Sequence, residues 1–141
     1  MSIERIFGIA GTALNSQMIR MNATASNLAN AGTVAGNEQD AFRAKRPVFK
    51  TLVDKEATNS GFQHVGGVKV DRIVDEQTPV RKVYSPGNPL ADKDGFVFSS
   101  NVSEVTEMVE MMAAARSYQN NVEVVNTARE LMMRTLDIIK A

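Results

Sequence analysis

The chain has 141 residues and a mass of 15.4 kDa, enough for one ordinary domain or less. Sixteen lysines and arginines balance sixteen aspartates and glutamates, so no net charge draws it to nucleic acid or an anionic membrane. It has no cysteine, which excludes disulfides and thiolate chemistry, and a single histidine, His64, which removes most imidazole-based sites.

Aromatic residues make up only 6% and tryptophan is absent, so bulk for a globular core is scarce. Eight methionines add flexible apolar surface of the kind used where helices meet varied neighbours. No stretch approaches the ~20 apolar residues that cross a bilayer. The apolar start is broken by Glu4-Arg5, Gly8 and Gly11, and no small-x-small site follows. Export without a cleaved signal peptide is therefore expected if the chain leaves the cytoplasm.

Three segments are expected: a helix over residues 1–32, a β-rich module over 33–100 and a long helix over 101–141. In the first, Phe7, Leu14, Met21 and Leu28 repeat every seven residues, flanked by Ile3, Ala10, Met18 and Ala25. This is a narrow stripe of coiled-coil type. Ser2 suits the start of that helix, and Gly32 its end through a left-handed turn.

Residues 33–100 hold all four prolines and six of the nine glycines. Strand-forming runs lie at 47–53, 65–74, 80–84 and 96–98, predicting three to five short strands. Asp94-Gly95 signals a hairpin turn, and the stretch from Ser85 to Pro89 reads as a loop.

The last segment contains no proline or glycine after Asn101, so one uninterrupted helix of about 55 Å is expected. Asn101 with Glu104 three places on predicts a capping box. Met111, Tyr118, Val125, Met132 and Ile139 recur every seven residues. A second row holds Met108, Ala115, Val122 and Leu136, and Val124, Ala128, Leu131 and Ile138 widen the apolar surface.

The fold class that follows is mainly α with a small β-rich insert, the terminal helices pairing as an antiparallel coiled-coil-like hairpin. A compact 141-residue globule would have a radius of gyration of roughly 14 Å, so a helix of about 55 Å cannot be covered by the chain's own middle. The leftover apolar stripes need other chains, and the terminal segments are expected to order on assembly.

Catalytic chemistry finds little support. His64 lies in a glycine-rich stretch without a nucleophile elbow and reads as a turn residue. Asp92-Lys93-Asp94-Gly95 resembles part of a calcium loop, but Leu90 and Asn101 would occupy its first and last ligand positions. It reads as a solvated turn. The basic run at 43–46 is too short for nucleic acid and reads as a strand edge or charge-matched contact. Glu104, Glu107 and Glu110 suit the helix dipole without catalysis, and the methionine spacing is that of packing rather than thioether metal ligation. No enzyme activity, metal or cofactor is implied.

The segment Ser26-Asn27-Leu28-Ala29-Asn30-Ala31-Gly32-Thr33-Val34-Ala35-Gly36 resembles the N-terminal signature of the bacterial flagellar rod and hook proteins. So do Phe42 to Phe49, Gly67 to Val70, Tyr84 to Ala91 and Gly95 to Val97. The most specific likeness runs from Asn101 to Met111 and from Ala114 to Val122. The resemblance covers nearly the whole chain, and its short middle is similar to proximal rod subunits rather than to longer distal rod or hook subunits. Family members commonly carry histidine, proline and lysine where Asn88, Ser100 and Arg129 stand here.

The resemblance implies a structural subunit of the flagellar basal-body rod, located in the periplasm and exported through the flagellar type III system. The tube it builds would carry torque from the motor ring to the hook. The implied partners are copies of itself, other proximal and distal rod proteins, the membrane ring/rod adaptor at the rod base and the export apparatus. No nucleic acid and no direct membrane insertion are implied. The expected assembly seam is Phe7, Leu14, Met21 and Leu28 with Met108, Met111, Ala115, Tyr118, Val122, Val125, Met132, Leu136 and Ile139, and Asn27 and Asn30 are expected to be its register-fixing polar pins. The alternative is another helical self-assembling protein, a secretion-needle or scaffold subunit, which would not require the Asn-Leu-Ala-Asn turn.

Overall fold

The computed structural model describes residues 3–53 and 65–140. Helix α1 spans Ile3–Ala29, and the short strand β1, Val34–Ala35, follows it. Strands β2 (Lys45–Val53) and β3 (Val65–Asp75) pair as a two-stranded sheet. Then come β4 (Arg81–Tyr84), β5 (Phe96–Ser99) and helix α2 (Glu104–Lys140). At 37 residues α2 is about 55 Å long and unbroken, as the absence of proline and glycine requires. The mainly α fold with a β-rich insert is the architecture found. His64 and Ser2 lie outside the described residues.

Strands β1, β5 and β4 form a three-stranded antiparallel sheet in that order. Val34 lies opposite Ser99, and Arg81 faces the same residue from the other side. Tyr84 and Phe96 are cross-strand partners whose rings meet edge to face at 5.2 Å. The four expected β-runs are found within two residues of their predicted bounds. The two-residue β1 was not expected, since only its pairing with β5 makes it a strand.

Two helix-end expectations are corrected. Gly32 does not adopt a left-handed conformation. The Asn30 side chain donates back to the Ser26 carbonyl at 2.8 Å, and Thr33 donates to the Asn30 carbonyl through its amide and its hydroxyl. The last carbonyls of α1 are satisfied without a left-handed residue. At the start of α2 the cap is Ser103, whose Oγ accepts from the Thr106 amide at 3.5 Å. Asn101 turns away from the helix and binds Ala44 N, Glu76 O and Thr78 O.

The described chain divides into two compact units. One comprises Met1–Ile19, Val48–Arg72 and Ala113–Ala141; the other comprises Arg20–Pro47 and Ile73–Met112. In the first, α1 lies against β3: Val68 N donates to Thr12 Oγ1 at 3.2 Å and Val68 O accepts from the buried Ser16 hydroxyl at 3.4 Å. In the second, Ala31, Ala44 and Val102 form a small apolar cluster with Phe42 packed on it. Arg20 pairs with Glu110 and Asn27 with Glu107. One helix therefore advances as the other retreats, which is antiparallel.

Candidate assembly interface

The apolar residues that the chain buries are small. Among the described residues the buried hydrophobic side chains are Ala10, Ala23, Ala31, Ala41, Ala44, Val97, Val102, Ala114 and Ala128. Burying a methyl group yields little compared with a leucine or isoleucine. Many large apolar side chains of α2 stand in solvent instead: Leu131 is 57% exposed, Ile138 77% and Val105 69%.

These exposed residues share one side of α2. At 100° per residue, Val105, Val109, Val124, Leu131 and Ile138 fall on the side opposite Met111. Of the expected heptad row, Met111, Tyr118, Val125 and Met132 are half-buried within the chain, and Ile139 is exposed. In the second row Ala115 is half-buried, whereas Met108, Val122 and Leu136 are exposed. On α1, Phe7, Leu14, Met21 and Leu28 are all half-buried, each leaving part of its surface uncovered. The 3.6-residue period was legible in the sequence, but the side of α2 covered by the chain itself was not.

Asn27 requires a correction. It is fully buried inside its own chain, not presented to a neighbour. Its Oδ1 accepts from Lys45 N at 2.7 Å, and its Nδ2 donates to Lys45 O and to Glu107 Oε2, each at 3.0 Å. Both amide protons and the carbonyl oxygen thereby have partners, and the side chain joins α1, β2 and α2. Asn30 is half-buried and closes the end of α1, as described above.

In the sequence Glu107 reads only as an acid that suits the helix dipole. It is completely buried and is the largest of the fully buried side chains among the described residues. Besides Asn27 it meets Arg46, whose Nη2 lies 2.7 Å from Oε1 in an ion pair without in-line hydrogen-bond geometry. Arg46 Nε also binds Glu76 Oε2 at 2.9 Å. Burial pulls the Arg46 guanidinium down. The hydrogen bond to Glu76 and the charge of Glu107, with the Glu107 contact and the charge of Glu76, together outweigh that burial and hold it above its ordinary value.

The basic run at 43–46 is thus neutralised within the chain, with Arg43 beside Glu38 and Lys45 Nζ 2.5 Å from Asp75. Asp92 is equally self-engaged: its Oδ1 accepts from Phe96 N at 2.8 Å and Asp94 N at 2.9 Å, shaping a turn at which Gly95 has φ +79°. Beside the start of α2 an open cleft of ≈ 360 Å³ is lined by Ala31, Arg81, Asn101, Val102, Ser103, Glu104 and Val105. Asn101 is already committed to backbone partners there.

Long helices at both ends, alanine-lined contacts and a row of uncovered large apolar residues define a helix-ended structural protein. Two sequence families match the helical ends. Residues 7–35 match the family described as flagella basal body rod protein, and residues 93–138 match the C-terminal family of flagellar basal body rod FlgEFG proteins. The chain is 48% identical over 138 residues to the flagellar basal-body rod protein FlgC of Yersinia enterocolitica, covering 98% of each chain. It is similarly 48% identical to the Salmonella typhimurium FlgC and 42% identical to that of Buchnera aphidicola subsp. Acyrthosiphon pisum, again covering 98% of each.

The chain belongs to the flagellar basal-body rod protein family. It is a structural subunit of the basal-body rod and not an enzyme.

Proposed function

We propose that the chain polymerises through its terminal helices into the wall of a tubular proximal rod that carries torque from the motor ring toward the hook. The seam comprises Phe7, Leu14, Met21 and Leu28 of α1 with Met108, Met111, Ala115, Tyr118, Val122, Val125, Met132, Leu136 and Ile139 of α2. The outward row Val124, Leu131 and Ile138 extends it. Its partners are copies of itself and neighbouring rod proteins, with the ring/rod adaptor at the base. The observation that supports this reading is the contrast between the alanines the chain buries and the large side chains it leaves in water. Each CH₂ removed from water contributes ≈ 0.8 kcal/mol, so repeated contacts along a wall stiffen what one subunit leaves loose.

Export fits the same physics. A chain whose terminal helices complete their packing only against neighbours can pass a narrow type III channel unfolded, and does not polymerise before reaching the periplasm. No helix of the described residues is long and apolar enough to span a membrane.

Leu131→Asp and Ile138→Asp test the outward row, because both side chains are exposed and their replacement leaves the single subunit intact. The expected result is soluble protein with an unchanged circular dichroism spectrum, no incorporation into isolated basal bodies, and no swimming. Normal swimming by both variants would exclude this face from the assembly.

A further inference from the structure

The segment Ala44-Lys45-Arg46 is gripped from three stretches of chain that are distant in sequence. Asn101 Oδ1 accepts from Ala44 N at 2.8 Å, and Ala44 O accepts from Glu76 N at 2.8 Å. Asn27 takes both backbone groups of Lys45, and Glu107 and Glu76 take the Arg46 guanidinium. All of these residues belong to one compact unit.

We propose that Glu107 is the positioning residue of an ordering clasp, its buried carboxylate making the folding of the last turns of α1 and the first turns of α2 mutually conditional. The carboxylate is fully enclosed, and its two oxygens face Asn27 from α1 and Arg46 from β2. If either segment opens, a charged group or an amide is left without its partner in a buried site, which is far costlier than losing a methyl contact. The apolar neighbours cannot perform this selection. Ala31, Ala44 and Val102 present small, featureless surfaces that tolerate sliding, whereas an amide–carboxylate–guanidinium set is satisfied in only one register.

Hydrogen exchange on the full-length chain in graded sub-denaturing urea tests this. In the unmodified chain, amides of residues 20–29 and 104–112 are expected to open together with one urea dependence. The Lys45 amide, whose proton goes to Asn27, should follow the same dependence. Separate urea dependences for the two helical segments would overturn the clasp, and this measurement requires no variant to fold.

Glu107→Gln keeps the shape and removes the charge. It is expected to speed exchange roughly ten- to hundredfold in both segments at once. Faster exchange confined to 104–112, or none, would overturn the proposal. Were Arg46 and Glu107 to act independently of each other, the losses from R46M and E107M would add. The clasp predicts that R46M/E107M exchanges no faster than the worse single variant, because neither charge is then left stranded. Additive losses count against it.

Discussion

A Cβ placed on Gly67 would stand 2.4 Å from Thr12 Oγ1, so the backbone of β3 meets α1 where a side chain has no room. Gly67 also has φ +132°, a conformation that other residues adopt only under strain. Thr12 Oγ1 accepts from Val68 N, and the bond requires this close approach. Gly67→Ala is expected to destabilise the folded chain by roughly 2 kcal/mol or more, combining steric overlap with backbone strain. Thr12→Ala in the same chain should recover only the steric part, because the φ angle remains unfavourable. Urea titration of the single and double variants measures the split.

The same device recurs at Asn27, where one α1 side chain satisfies both backbone groups of a single strand residue, Lys45. Asn27→Ala is expected to cost about 2–3 kcal/mol by leaving buried groups unpaired. Asn27→Asp should cost more. It removes the donor to Lys45 O and sets a second carboxylate against Glu107 in a fully buried site. An aspartate variant as stable as the alanine variant in urea melts would show that the site admits water.

These two contacts mark where sequence reasoning succeeded and where it ended. The strands announced themselves through Val48, Thr51, Val68, Val70 and Ile73, because β-branched runs between turn residues carry their own local signal. Both helices were legible from period and from the placement of proline and glycine. Glu107 was not, because its partners lie 61 and 80 positions away and a helical acid looks the same in sequence whether it faces water or Arg46. Asn27 was singled out as a register pin on the pattern of buried coiled-coil asparagines, whereas its partners here are Lys45 and Glu107 of its own chain. The cap at Ser103 displaced the expected Asn101 because Asn101 had three backbone partners to satisfy instead.

Ser100 is buried and uses both its donors: its amide reaches Thr33 O at 3.2 Å and its hydroxyl reaches Ala31 O at 2.6 Å. The two bonds tie the end of β5 to the turn after α1. A proline there has neither donor. Ser100→Pro is therefore expected to lower stability by about 1–3 kcal/mol, and Ser100→Ala, which keeps the amide bond, by about half as much. Differential scanning calorimetry should rank the unmodified chain, alanine and proline in descending melting temperature. Equal melting temperatures for all three would show that these bonds add nothing net.

Asp92 supplies a pH test of the β4–β5 connection. The hydrogen bond from Phe96 N is the largest influence holding its carboxyl below the ordinary aspartate value. Burial opposes the shift, and the Asp94 amide and Lys82, at 3.7 Å, reinforce it. A carboxyl lowered on folding stabilises the turn above its ordinary titration range, and that contribution is lost as pH falls through the folded value. The Phe96 amide resonance is therefore expected to hold steady through the ordinary aspartate range, about pH 4, and to move only in stronger acid. Asp92→Asn retains an acceptor oxygen but removes the charge, so the Phe96 resonance should become independent of pH. A Phe96 midpoint at the ordinary aspartate value would mean that the turn does not favour the ionised carboxylate.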